Sequence, residues 1–198
     1  FSWHSYNILL HPSKYYSQVM TLAQWKRQSY REVKIIQNIN NYLGRTQWDK
    51  KVTYIYNPNS NYFLGNEILR DEFYKSDIMR NIPEKLVIVS TISSPLYKGF
   101  DVILKTASII KNFLRVDFEW KVYGNINPVY VESQIEIKHS DVNVSICGVA
   151  KPEELRHALL NCTVYVHPSY IDNSPNSLCE AQILSCSVIA TNVGGVSS

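Results

Sequence analysis

The sequence predicts an α/β fold over residues 84–198, with a parallel sheet covered by helices on both faces. Three observations predict it. Short apolar, β-branched runs recur, as in Leu86–Ser90, Val142–Ile146 and Val164–Val166. Between them lie segments whose apolar residues repeat at helical spacing. Glycines stand where several of the runs end, at Gly124, Gly148 and Gly194-Gly195. Strands that alternate with helices argue for a parallel sheet buried on both sides.

Residues 1–83 are less regular and form a separate N-terminal or linker region. Between Ser17 and Ile39, Val19, Leu22, Ala23, Val33 and Ile36 fall near helical spacing, which predicts one or two amphipathic helices. Lys26, Arg27, Arg31 and Lys34 on that stretch read as solvated helix charges rather than a face for acidic lipid or substrate. Asn41–Arg45 predicts a short strand or turn, and Thr46 is placed to cap a helix at Gln47–Lys50. Asn57–Asn61 is a turn cluster, Tyr62–Leu64 is strand-like, and Glu67–Tyr74 reads as helix. Pro83-Glu84-Lys85 marks the boundary.

Beyond it the alternation is clear. Leu86–Ser90 is a strand, and Phe100, Ile103, Leu104, Ala107 and Ile110 mark one face of a helix. Phe118–Tyr123 is a strand ending at Gly124, Pro128–Lys138 a helix, and Val142–Ile146 a strand ending near Gly148. Pro152-Glu153-Glu154 opens a helix that buries Leu155, Ala158 and Leu159, since Pro at the first position and acids in the first turn are start signals. Val164–Val166 is a strand stopped by His167-Pro168-Ser169, and a polar loop through Asp172 follows. Pro175 sits where a helix over Asn176–Ser185 can begin, with Ser174 as its N-cap. Ser187–Thr191 is the last strand, and Gly194-Gly195 turns the backbone closely at its end. Ligands in such sheets bind at the carboxyl ends of the strands, where His167–Pro175 and Asn192–Gly195 fall.

Composition bounds the function. The chain has 198 residues, 45% hydrophobic and 19% charged, enough for one sizeable core. A net charge of +3 is too small to argue for nucleic acid. The four cysteines, Cys147, Cys162, Cys179 and Cys186, form no Cys-x-x-Cys pair and no Cys/His cluster with zinc spacing. Lying in or beside apolar segments, they read as buried free thiols, which suits a reducing compartment. No apolar run approaches the roughly 18 residues that span a bilayer, and no signal peptide is visible. The chain starts at Phe1 and ends at Ser198 directly after the Gly-Gly turn, so a fragment of a longer enzyme is expected.

Residues 163–195 resemble the donor-binding segment of the family 4 glycosyltransferases, bacterial type. Their pattern is a strand ending in Pro-Ser, an acidic residue, seven residues, a Glu followed by Ala, and a strand leading to Gly-Gly. Here it reads Pro168-Ser169, Asp172, Glu180-Ala181, Val188–Thr191, Gly194-Gly195. A set spread over about thirty residues is far more specific than a lone motif. The resemblance covers residues 84–195 and, more loosely, 40–75. There, Gly44-Arg-Thr-x-Trp-Asp49 and Asn66-Glu-x-Leu-Arg70 are similar to the end of the acceptor-side domain. It implies a Rossmann-like sheet forming the C-terminal half of a GT-B fold, preceded by part of the acceptor side. For Arg45, Trp48 and Arg70 themselves the expectation is interdomain packing and ion pairing.

The candidate site residues follow. Lys98-Gly99 lies at a helix start after the first strand, where backbone can approach an anion, and the resemblance makes Lys98 the diphosphate ligand. The family's usual Arg five residues earlier is Ser93 here, so one diphosphate cation is missing. Glu180 inherits the ribose, since a carboxylate accepts two hydroxyl hydrogen bonds. Asp172 holds the catalytic acidic position, usually Glu, that contacts the donor sugar; its other reading is an Asx turn. Backbone N–H groups of Asn173, Ser174, Asn176 and Ser177 are placed for sugar hydroxyls and phosphate. Gly148-Val149 is implied as the place where the nucleobase packs. His167 reads as a strand-end packing residue, and the 14 tyrosines as structural rather than sugar-stacking.

The resemblance thus implies a retaining transferase of hexose from a nucleotide diphosphate sugar to an acceptor hydroxyl, saccharide or lipid-linked. Polysaccharide or glycoconjugate synthesis is its expected setting, in the cytoplasm with peripheral contact at the inner face of the membrane. No metal or cofactor is expected, in keeping with the lack of an Asp-x-Asp motif. The fragment alone is expected to bind nucleotide diphosphate weakly and catalyse nothing. Two rivals are a nucleotide-sugar epimerase of the same architecture and a non-catalytic nucleotide-sugar binding module.

Overall fold

The structure, a computed structural model, describes residues 12–197. The expectation about the chain's ends, Phe1 and Ser198, lies outside the described residues. Two compact units result: residues up to Gly44 with Lys50–Leu64, and Arg45–Asp49 with the chain from Gly65 onwards.

In the first unit a single long helix, α1 (Pro12–Asn38), covers the stretch in which one or two helices were expected. β1 (Asn41–Gly44), α2 (Gln47–Tyr56) and β2 (Asn61–Leu64) follow, with β1 and β2 paired in parallel from Asn41↔Asn61 to Gly44↔Leu64. The Asn57 side-chain amide ties the turn down by donating to the carbonyls of Ile36 and Ile39. Gln47–Lys50 is only the first turn of α2. Its cap, in the second unit, is reciprocal: Thr46 Oγ1 accepts from Asp49 N, and Asp49 Oδ1 accepts from Thr46 N, each at 3.2 Å.

The second unit departs from expectation first at Glu67–Tyr74. Only Asp71–Tyr74 turns, as a short 3₁₀ helix, because Arg70 is extended (φ −66°, ψ 139°) and its side chain is engaged elsewhere. The alternating part then runs β3 (Leu86–Thr91), α3 (Phe100–Ile109), β4 (Phe118–Tyr123), α4 (Val129–Ile135), β5 (Val144–Gly148), α5 (Pro152–Leu160), β6 (Val164–His167), α6 (Asn176–Ile183) and β7 (Val188–Ala190). The helix expected to reach Lys138 stops at Ile135, since Glu136 takes a left-handed conformation (φ 57°). Val142 closes a 3₁₀ turn and Asn143 is left-handed (φ 58°), so β5 starts two residues later than expected. Pro175 is extended (ψ 104°) and is itself the N-cap of α6, while Ser174 Oγ bonds to Glu67 instead.

The five strands form one parallel sheet in the order β5-β4-β3-β6-β7. Side chains alternate across it. Ile88 of β3 and Phe118, Trp120 and Val122 of β4 pack under α3 and α4, against Phe100, Ile103 and Leu104. Val89 and Tyr165 face the other way, onto α5, α6 and the 3₁₀ turn through Leu155, Leu178 and the fully buried Phe73. Helices therefore cover both faces. Two buried polar side chains of this core satisfy each other: Trp120 Nε1 donates to Ser90 Oγ (3.0 Å), and Ser90 Oγ donates to the Val166 carbonyl (2.6 Å). The chain leaves β3 toward β4 and β5, then returns to lay β6 and β7 on the opposite side of β3. Such a reversal of strand order opens a crevice at the carboxyl ends of the two central strands.

Candidate functional site

A cleft of about 510 Å³ occupies that crevice. Thr91–Ser93 line it after β3, Tyr123–Asn125 after β4, Val149 and Ala150 after β5, and His167 and Asp172 after β6. The opening turn of α6 adds Ser174–Ser177, and Lys98 reaches in from the loop before α3.

Lys98 and Asp172 are the charged centre. Lys98 Nζ lies 2.5 Å from Asp172 Oδ2, with side chains 15% and 12% exposed. His167 Nε2 reaches the same oxygen at 2.9 Å. Burial, reinforced by the Lys98 charge, lowers the His167 pKa below its ordinary value despite Asp172, so the imidazole is neutral at pH 7. The carboxylate only accepts, so Nε2 carries the proton, and the buried Nδ1 has no hydrogen-bond partner among the described residues. Burial raises the Asp172 pKa, but the Lys98 hydrogen bond and charge, with the imidazole N–H, hold it below the usual carboxylate value.

Ser169 Oγ is also 3.0 Å from His167 Nε2. This is not a nucleophile–base–acid relay. Serine and aspartate meet the same ring nitrogen, whereas a relay needs one on each.

The start of α6 presents donors. Leu178 and Cys179 N–H both go to the Pro175 carbonyl, which leaves the N–H groups of Asn176 and Ser177 outside the helix's own ladder. Ser177 Oγ is fixed from below: it accepts from the fully buried Tyr165 hydroxyl at 3.0 Å, which in turn accepts from Thr91 Oγ1 at 2.7 Å. Burial pushes the Tyr165 phenol up to about 12, so it stays a donor.

A scaffold from far upstream holds the loop between β6 and α6. Thr46 Oγ1 donates to Asn173 Oδ1 (2.6 Å), and Asn173 Nδ2 donates to Asp49 Oδ2 (2.9 Å). Ser174 Oγ donates to Glu67 at 3.1 Å, and Glu67 also pairs with Arg45. Gly194 (φ +54°) lies against the Asp172 carbonyl, where a Cβ would collide. Gly99 (φ +76°) does the same at the Pro168 carbonyl, so the loop before α3 docks onto the loop after β6.

Glu180 is 2% exposed and is not among the residues lining the cleft. Both of its oxygens accept from Arg70: Nε to Oε1 and Nη2 to Oε2, each at 2.7 Å.

The structure therefore brings Lys98, Asp172, Ser174, Asn176, Ser177 and Val149 to one cleft. Gly99, Gly148, Asn173 and Glu180 are not among the residues that line it. The reading from sequence missed His167 as a partner of Asp172, and nothing in the spacing of the two announces it. It also missed the contacts of Thr46, Asp49 and Glu67 with this loop; for Arg45 and Arg70 it expected ion pairing, which they make with Glu67 and Glu180, without naming those partners.

A family model, Glycosyl transferases group 1, matches residues 83–198, more than half of the chain. The chain belongs to that family. Among solved structures, this glycosyl transferases group 1 chain is similar to the sucrose-phosphate synthase of Thermosynechococcus elongatus. The TM-score is 0.67 at 18% identity, over 83% of this chain and 44% of that one. It is also similar to S. aureus TarM, solved as a point mutant with fondaparinux, alpha-GlcNAc-glycerol and UDP, at TM-score 0.60 and 18% identity, over 82% of this chain and 32% of that one. The pneumococcal O-GlcNAc transferase GtfA, solved with UDP and GlcNAc, gives TM-score 0.61 and 14% identity, over 80% of this chain and 32% of that one. These are GT-B glycosyltransferases, and the likeness is one of fold. The chain spans less than half the length of each. No curated protein matches it.

Proposed function

We propose that this chain is the donor-binding half of a retaining glycosyltransferase that moves a hexose from a nucleotide diphosphate sugar to an acceptor hydroxyl without a metal. The observation that carries the reading is the convergence of Lys98, Asp172 and the first N–H groups of α6 at the carboxyl edge of a parallel sheet. A diphosphate at that edge gains a cation and two backbone donors, which act most strongly on the charge that builds as the sugar leaves. Ser93 supplies no second cation, so the α6 amides carry more of the load.

Asp172 has the part of the sugar-side carboxylate. Once phosphate takes Lys98, its oxygen is freed for a sugar hydroxyl while His167 keeps its orientation. Val149 and the turn at Gly148 take the base, and Glu180 the ribose. UDP stands in the solved TarM and GtfA structures, which makes it the first nucleotide to try. A saccharide or lipid-linked acceptor, polysaccharide or glycoconjugate synthesis, and a bacterial cytoplasmic setting with peripheral membrane contact complete the reading. No described helix is long and apolar enough to cross a membrane.

Calorimetric titration of the chain with UDP, ADP and GDP and their hexose conjugates tests this. One nucleoside diphosphate should bind, and Lys98→Ala should weaken it. Failure of all of them, at concentrations where inorganic phosphate also fails, would overturn the reading. No transfer or hydrolysis by the chain alone is expected.

A further inference from the structure

We infer that Arg70 is a positioning residue of the donor site, and that recognition of the ribose depends on its fork holding Glu180. This rests on the donor reading above. Glu180 is almost fully buried, and Nε and Nη2 of Arg70 each take one of its oxygens at 2.7 Å. Arg70 is fixed in turn. Its guanidinium carbon lies 4.9 Å from the centroid of the Phe73 ring, and Phe73 is wholly buried among the residues under α5 and α6. The extended backbone of Arg70, just before the 3₁₀ turn, aims the side chain at α6.

An ionised carboxylate offers about four acceptor positions, and a planar fork uses one on each oxygen. One position per oxygen is left, a spacing that suits two neighbouring hydroxyls. Ser177 and Glu180 are three apart on α6 and so share a face, and Ser177 lines the cleft. The guanidinium thus fixes, for a ribose, the direction of the two remaining acceptor positions. Stability alone is a poor reason for this pair, because the hydration that the buried carboxylate gives up offsets much of its attraction to the guanidinium. The same upstream segment also sends Glu67 to Ser174, so donor loop and donor helix are set from one side.

The test compares ligands with and without the diol. The wild-type chain is titrated with UDP, ADP and GDP, then with the 2′,3′-dideoxy form of the tightest binder, and with inorganic pyrophosphate. Wild type should prefer the ribose form by at least about tenfold, the scale of one lost hydrogen bond to a charged group. Arg70→Lys keeps the charge and loses the fork. In Arg70→Lys and Arg70→Ala the preference should fall to near one while pyrophosphate affinity is unchanged. A purely structural role would weaken all ligands alike or none and leave the preference intact, and that result in Arg70→Lys overturns the inference even if Arg70→Ala does not fold. If wild type binds the nucleotide but ignores the diol, Glu180 does not read the ribose and the inference falls. If wild type binds no nucleotide, the donor reading itself fails.

Discussion

Lys98 and Asp172, the cation and the carboxylate that line the cleft, are each other's partner at 2.5 Å. An incoming diphosphate must therefore compete with a carboxylate for the ammonium. Removing the competitor should help a ligand that is only phosphate. Asp172→Asn is expected to tighten inorganic pyrophosphate by about three- to tenfold, and Lys98→Ala to weaken it by at least about tenfold, the range set by one charge at close contact in a partly screened site. Calorimetry on the two variants reads both signs.

The Arg70–Glu180 pair is asymmetric in exposure, with side chains 43% and 2% exposed. Losing the exposed partner strands a buried charge, whereas losing the buried one leaves a guanidinium that water can reach. Arg70→Met should cost about 3 kcal/mol, and Glu180→Gln no more than about 1–2 kcal/mol. The double variant Arg70→Met/Glu180→Met should recover much of the loss. Urea denaturation with a fitted midpoint and slope measures all three.

Burial and Lys98 lower the His167 pKa below 6.5, against the pull of Asp172. Between the lowered folded value and the unfolded one, the unfolded chain binds the proton and the folded one does not. The contribution of neutral His167 is thus complete above about pH 6.5 and is lost as pH falls toward the folded value, with a slope of at most about 1.4 kcal/mol per pH unit. Asp172, whose folded value is also lowered, gives up its share only at more acid pH, as pH falls through that folded value. His167→Gln should flatten the dependence between pH 7 and pH 5, read as the thermal midpoint at half-unit steps.

Gly99 and Gly194 bring loops to the cleft in backbone conformations that L side chains rarely adopt (φ +76° and +54°), each against a carbonyl. Alanine at either position meets both the strain and the collision. Gly99→Ala should cost at least about 1–3 kcal/mol and lower nucleotide affinity, because Lys98 is its neighbour. Gly148→Ala, at φ +74° but with nothing among the described residues within 4 Å, has strain alone and should cost about 1 kcal/mol. Thermal midpoints of the two variants separate collision from strain.

Much of this was legible beforehand. The alternation of β-branched runs with helical spacing gives the strands and the covered sheet, because parallel strands buried on both faces carry that signature on their own. That Lys98, Asp172 and Ser177 fall at one edge of the sheet was also readable, because strand ends and helix starts place them there. Ion pairing was expected of Arg70, but its partner was not readable, because Glu180 lies 110 residues away. Propensity favoured a helix over Glu67–Tyr74, and tertiary bonding of Arg70 overrode it. Nor could spacing show that Ser174 leaves its capping position for Glu67.

The most direct measurement is the map of backbone amide shifts when the ¹⁵N-labelled chain is titrated with UDP, or with ADP or GDP if either binds more tightly. Binding at the proposed site predicts saturating shifts at Lys98, Gly99, Val149, Asp172 and Ser174–Ser177. Shifts that saturate together elsewhere, with these residues unmoved, would contradict it.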